Sequence, residues 1–168
     1  DAIDTMVKEG GVEACVSSLR AHSDNATIVG EATSTLLVIS GKKEGVNATI
    51  QKGASRYLLQ VIDKHNNDDA FNTAVFSAAK ALNRIASDDE GRSLLKSQNG
   101  EEIICNSLDL ENSDRQMQSE FSRLLGHVMS KKDIEHSVTD VVKSSQQSFE
   151  DAGEEEMDGL IKTMEKLS

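Results

Sequence analysis

The sequence repeats with a period in the low to mid forties, and this repetition constrains the fold more than any other feature. Three segments open with a glycine, at Gly11, Gly53 and Gly100, so the steps are 42 and 47 residues. Apolar residues follow each glycine at helical spacing, which predicts one amphipathic helix per segment. Aligning the glycines gives three columns: Cys15, Tyr57 and Ile104; Val16, Leu58 and Cys105; Leu19, Val61 and Leu108.

A second set of landmarks gives a similar period. A polar loop with Asp and Asn, which are good helix N-caps, follows each of these helices, and a longer apolar segment follows each loop. Its matching residues, at steps of 46 and 43, are Ala32, Leu36 and Ile39; Ala78, Leu82 and Ile85; Phe121, Leu125 and Val128. A shorter helix is predicted before each glycine, and we expect Gly10, Gly53 and Gly100 to take the left-handed conformation that ends a helix.

Composition supports helices throughout. The chain has no proline, 3% aromatic residues and 37% apolar residues. A β-sandwich usually contains more aromatic and β-branched residues, and the absence of proline favours helices. Cys15 and Cys105 lie within the helical patterns without metal-binding spacing, so we expect two buried free thiols in a reducing compartment. The class predicted from these observations is all-α.

A short helix, a glycine, a second helix, a polar loop and a long third helix together resemble the armadillo repeat. Residues 31–40 and 77–86 are similar to the family's third-helix pattern, although the proline often found early in the second helix is replaced by Glu13, Ser55 and Glu102. The resemblance implies a right-handed α-solenoid of three-helix repeats, over 1–42, 43–89 and 90–130. Because Asp1 opens directly on a first-type helix, we expect a segment of a longer array.

Residues 131–168 are expected to form a degenerate fourth repeat or C-terminal helical cap. They end in an amphipathic pattern made by Met157, Leu160, Ile161, Met164 and Leu167, with acidic residues in its first turns. The alternative for this segment is an acidic helix that docks into a partner.

Charge and motifs exclude several functions. A net charge of −11 disfavours binding to nucleic acid or to anionic lipid. No apolar run approaches the roughly 20 residues that cross a bilayer, so no membrane span is predicted. No catalytic motif is present, and His22, His65, His127 and His136 lack metal spacing. We therefore expect a non-catalytic protein without metal or cofactor, located in the cytoplasm, with the nucleus or cytoskeleton as alternatives.

The resemblance also implies a binding face, because the third helices of armadillo proteins line a concave groove that binds extended peptides. In the importin-alpha type of groove, Trp and Asn occupy two positions per repeat and hold a basic peptide. The matching positions here are Ser34, Val38, Lys80, Arg84, Arg123 and His127, and none is Trp or Asn. Binding of nuclear signals is therefore not carried over to this chain.

The replacements predict a different ligand. Lys80 and Arg84 lie one turn apart on one helix face, and Arg123 and His127 repeat the placement 43 residues later. We expect a protein scaffold whose groove receives an acidic partner segment, in a mode similar to the basic groove of beta-catenin. Ordinary solvated third-helix residues would give the same pattern. A nuclear-import adaptor, a spacer in a cytoskeletal or ciliary assembly, binding on the convex face and self-association through exposed repeat ends remain alternatives.

Overall fold

The computed structural model describes residues 2–108 and 115–129. These residues form nine α-helices and a 3₁₀ turn at Asp69–Phe71, with no strand in the described ranges, so the all-α class is confirmed there. In chain order, the helices are α1 Ala2–Lys8, α2 Gly11–Ala21, α3 Ala26–Ile39, α4 Lys43–Gln51, α5 Ala54–His65, α6 Asn72–Ala86, α7 Asp89–Ser97, α8 Gly100–Ser107 and α9 Arg115–Val128. The expected fourth repeat or cap at 131–168 lies outside the described residues.

The nine helices form three consecutive triplets, each with a short first helix, a second helix and a longer third helix. Third helices pack on third helices, α3 against α6 and α6 against α9. Second helices pack in the same order, α2 against α5 and α5 against α8. The two rows face each other within every triplet, and the core between them includes the fully buried Leu36, Leu58, Leu82, Ile104 and Phe121.

The left-handed residue that ends each first helix was predicted correctly at Gly10 and Gly53 and wrongly at Gly100, and the alignment of Gly11 and Gly100 with Gly53 was wrong by one position at both. Gly10 and Gly53 have φ of 79° and 66°, but the third left-handed residue is Asn99, with φ of 57°, and Gly100 is already helical. Asn tolerates this conformation better than most side chains, which is why it substitutes for glycine. Gly11 likewise opens α2 as a helical residue.

The corrected register changes the apolar columns. Counted from Gly10, Gly53 and Asn99, the steps are 43 and 46 residues, and Cys15, Leu58 and Ile104 become equivalent. All three are buried. The structure thus replaces the two predicted columns that split these residues.

Two expected core residues of the third triplet are not buried. Cys105 is exposed, because Ile104, one position earlier, points into the core; Cys15 is buried as expected. On α9, Leu124 is fully buried while Leu125 is half-buried, although Phe121 and Val128 are buried as predicted. Leu124 therefore contributes the core contact that the repeat pattern assigned to Leu125.

The ends of neighbouring second helices are tied by polar contacts between triplets. The His65 ring stacks on Phe71, and its Nε2 lies 2.8 Å from the carbonyl oxygen of Ser23, which makes Nε2 the protonated nitrogen. At the next junction, the amide of Asn66 donates to the carbonyl oxygen of Ser107 at 3.1 Å. The accepting carbonyls lie at or just beyond the ends of α2 and α8. Such carbonyls have no partner within their own helix, and these bonds satisfy them.

The third helices α3 and α6 are each followed by a first helix that approaches them too closely for a side chain. A Cβ on Gly45 of α4 would overlap the carbonyl oxygen of Ile39 and lie 2.6 Å from its carbonyl carbon. A Cβ on Gly91 of α7 would meet the Ile85 carbonyl in the same way, 2.8 Å from the carbon. The two glycines are 46 residues apart and hold the same place in successive triplets.

We expect Gly45→Ala and Gly91→Ala each to lower the free energy of unfolding by about 1–3 kcal/mol or more, because the neighbouring backbone must move to admit the methyl group. Chemical denaturation followed by circular dichroism measures this loss.

Gly30→Ala is the matched control, since Gly30 lies inside α3 and a Cβ added there would have no neighbouring atom within 4 Å. This substitution should raise the free energy of unfolding by about 0.5–1 kcal/mol through helix propensity. Equal, small effects at all three positions would show that the close approaches do not hold the triplets together.

Candidate functional site

The third helices differ in charge from the chain as a whole. They carry four basic residues, Lys80, Arg84, Arg115 and Arg123, and two acidic ones, Glu31 and Glu120, which gives a net charge of +2. The described residues together contain 13 basic and 15 acidic side chains, a net charge of −2, so those outside the third helices carry −4. Positive charge is therefore concentrated on this row of helices.

On α3, the structure gives the two predicted positions different roles. The Ser34 hydroxyl lies 3.3 Å from the Ser77 hydroxyl of α6, so it joins the two helices. Val38 is 54% exposed, whereas Leu36 and Ile39 on the same helix are fully buried. Val38 thus offers an apolar contact beside the predicted cations.

On α6, both predicted cations are held in place by groups other than carboxylates. The Lys80 ammonium lies 5.1 Å from the ring centroid of Phe76, one turn earlier, in a cation–π arrangement. Arg84 donates through Nη1 to the carbonyl oxygen of Leu37, near the C-terminal end of α3. A guanidinium has five N–H donors, so this bond leaves several for a ligand.

On α9, Arg123 is exposed and His127 is half-buried. The Nδ1 atom of His127 is buried and has no hydrogen-bond partner within the described part of the chain. The neighbouring α6–α9 contact is fixed by Asn83, whose amide donates to the backbone oxygen of Glu120 at 3.0 Å and to its carboxylate at 2.9 Å. Glu120, the acidic residue of α9, is therefore already engaged.

A cleft of about 440 Å³ opens where α3 turns into α4, next to the end of α6. Arg84 lines this cleft and also belongs to the predicted third-helix positions, so the two features are continuous at that side chain. The other lining residues are Ser40, Gly41, Lys42, Lys43, Val46, Ser87 and Asp88. The cleft brings three basic side chains together with one acidic side chain.

The charged groups of the cleft have distinct partners. Lys42 forms an ion pair with Asp4 at 3.9 Å. The Asp88 carboxylate accepts the backbone N–H of Glu90 at 3.0 Å and so caps the start of α7. Lys43 is exposed and has no ionic partner among the residues that the structure describes.

Several cations outside the third helices are neutralised by carboxylates. Lys52 contacts Glu13 at 2.6 Å, and the hydrogen bond from Lys52 lowers the pKa of the Glu13 carboxyl. Lys64 contacts Asp24 at 2.6 Å and lowers the pKa of that carboxyl in the same way. Across the described helices, by contrast, no carboxylate pairs with Lys80, Arg84 or Arg123.

A second cleft, of about 410 Å³, lies on the row of second helices. Leu19, Tyr57 and Val61 line it together with Asp63 and Lys64, so it lacks an excess of either charge. Burial raises the pKa of the Cys15 thiol, and partial desolvation together with the Glu101 carboxylate raises the pKa of the Cys105 thiol. Within the described ranges, no cluster of His, Cys, Asp and Glu could hold a metal ion, and no helix could cross a membrane.

The sequence did not identify Lys42 and Lys43 as neighbours of Arg84. The sequence feature that could have indicated them is a basic pair directly after Ser40-Gly41, where a third helix ends. Only the packing of α4 and α6 shows that this pair lies beside Arg84. Sequence reasoning also treated Ser34 as a binding position without its contact to Ser77.

Comparisons with known proteins do not show which family the chain belongs to. No protein-family model matches it, and none of the curated proteins matches it significantly. A crystal structure of an engineered protein is similar in fold, with a TM-score of 0.64 and 27% sequence identity. The match covers 76% of this chain and 49% of the engineered protein, so the chain spans about half of that protein's length.

Arg84 should contribute to stability as well as to charge. We expect Arg84→Leu to lower the free energy of unfolding by about 1 kcal/mol, because it removes the bond to the Leu37 carbonyl. Arg123→Leu, at an exposed position, should change it by less than about 0.5 kcal/mol. Urea denaturation of both variants distinguishes the two roles, and equal stabilities would argue against the Arg84 contact.

Proposed function

We propose that this protein is a non-catalytic interaction scaffold that holds an acidic segment of a partner protein across its third helices. In this proposal the triplets are armadillo-like repeats of a right-handed α-solenoid, and α3, α6 and α9 line its groove. The row-by-row packing of equivalent helices and the recurrence of Gly45 and Gly91 support the repeat architecture.

The observation that carries the proposal is the local charge. The third helices carry a net charge of +2, whereas the other described residues carry −4, so basic groups are concentrated on the third helices. Lys80 and Arg84 are stabilised by an aromatic ring and a backbone carbonyl, neither of which cancels a full charge. Charge-assisted hydrogen bonds to carboxylates are the interactions that such groups favour.

The exposed Val38 indicates that the partner segment also contains an apolar residue. Val38 is the residue next to Leu37, whose carbonyl binds Arg84. A partner segment that places an apolar residue beside an acidic one would cover Val38 and pair with Arg84 together. We therefore expect an extended segment of mixed acidic and apolar residues.

The length of that segment follows from helix spacing. Neighbouring helices pack about 9 Å apart, so three third helices span roughly 18 Å between the outer axes. An extended chain advances about 3.3 Å per residue, so about six residues reach from α3 to α9. A probe of about 12 residues covers this distance with overhang at both ends.

Binding of a fluorescent peptide of about 12 residues, composed of Glu, Leu and Ser, tests the proposal by anisotropy. We expect the full chain to bind it more tightly than the counterpart in which Lys replaces every Glu. The triple variant Lys80→Glu, Arg84→Glu, Arg123→Glu should weaken binding at least about tenfold, and added salt should weaken binding to the unmodified chain.

The variant Lys8→Glu, Arg20→Glu, Arg56→Glu is the matched control. It makes the same change in net charge at exposed residues of α1, α2 and α5. Equal losses in the two triple variants would mean that only the net charge matters, and preference for the Lys peptide would favour the import-adaptor function. Failure to bind either peptide would favour a structural spacer.

A further inference from the structure

We propose that the cleft between the α3–α4 turn and the end of α6 binds a phosphorylated side chain of the partner segment. This inference rests on the proposed function, because the segment that crosses the third helices is the same one that delivers the phosphate. The cleft adds Lys42 and Lys43 to Arg84, two basic groups that do not belong to the predicted groove.

The three cations surround one volume of about 440 Å³, open to solvent at the exposed Lys43. Arg84 is exposed, and Gly41 borders its guanidinium, since a Cβ on Gly41 would lie 3.5 Å from Nη1 of Arg84. Its planar guanidinium can bind two phosphate oxygens at once, while lysines act as point charges.

The three cationic side chains favour a phosphate over a carboxylate, because each can contact one phosphate oxygen. Lys42, Lys43 and Arg84 face the carboxylates of Asp88 and, at the edge, Asp4, which leaves a net charge of +1. A phosphate monoester carries about −1.5 to −2 charges at neutral pH and has three acceptor oxygens, whereas Asp or Glu carries one charge. Asp88 is engaged with the N–H of Glu90, and Asp4 lies 3.9 Å from Lys42 at the edge.

The corresponding turn of the next triplet has the opposite charge. Advancing Lys42 and Lys43 by 46 residues gives Asp88 and Asp89, and advancing Arg84 by 43 residues gives His127. The basic pair is therefore not repeated at the α6–α7 turn, whose Asp88 borders the same cleft. One phosphorylated residue would therefore fix the register of the partner segment along the third helices.

The test uses the Glu, Leu and Ser peptide with phosphoserine placed at each Ser position in turn, and isothermal titration of the full chain. At one position, phosphoserine should tighten binding about tenfold relative to serine, which corresponds to one good charge-assisted contact. In the double variant Lys42→Gln, Lys43→Gln this preference should fall below about threefold, while the unmodified peptide binds as before.

Lys80→Gln separates the two proposals, since Lys80 lies on the third helices outside the cleft. It should weaken modified and unmodified peptides equally and leave the preference for phosphoserine intact. An unmodified peptide that binds normally, with no preference for phosphoserine at any position, would overturn the phosphate site alone. Loss of binding by the unmodified peptide would instead count against the proposed function.

Two further outcomes decide the matter. A phosphoserine preference that survives in the Lys42→Gln, Lys43→Gln variant would overturn the assignment to this cleft. Inorganic phosphate alone should displace the phosphopeptide only weakly, because it lacks the contacts of the segment. Displacement by inorganic phosphate at the phosphopeptide's own concentration would show that the segment contributes nothing and would also overturn the proposal.

Discussion

The close contacts of α4 with the end of α3 and of α7 with the end of α6 determine how successive triplets stack. Gly45 packs on the carbonyl of Ile39, and Gly91 packs on the carbonyl of Ile85. No side chain fits between the backbones at either junction, so the same close approach recurs in successive triplets. Equivalent helices then meet equivalent helices, which produces the row of third helices and the row of second helices.

The stacking creates the candidate site. It brings α6 beside the end of α3, so that Arg84 reaches the Leu37 carbonyl and also borders the cleft with Lys42 and Lys43. Arg84 therefore connects the predicted groove with a cleft that the groove pattern does not include. Removing this side chain changes stability and ligand binding together, which is why substitutions at Lys43 and Lys80 separate the effects more cleanly.

Over the described ranges, the sequence predicted the order and approximate ends of the helices, because the apolar spacing agreed with the positions of the glycines. It failed at single-residue register, since Gly10 and Gly11 are adjacent and Asn99 takes the left-handed role expected of Gly100. The spacing of Gly45 and Gly91 is visible in the sequence, but the carbonyls they contact are not. The cleft could not be predicted, because Lys42 and Arg84 are 42 residues apart and meet only through packing.

The central claim is that the third helices form the binding face, and chemical-shift mapping of the isotopically labelled chain tests it most directly. On titration with the acidic, apolar peptide, amide signals of α3, α6 and α9 should move, with Val38 and Arg84 among the largest changes. Signals of α2 and α5 around Tyr57 and Lys64 should stay in place. Changes concentrated on those second helices, with the third helices unaffected, would contradict the claim.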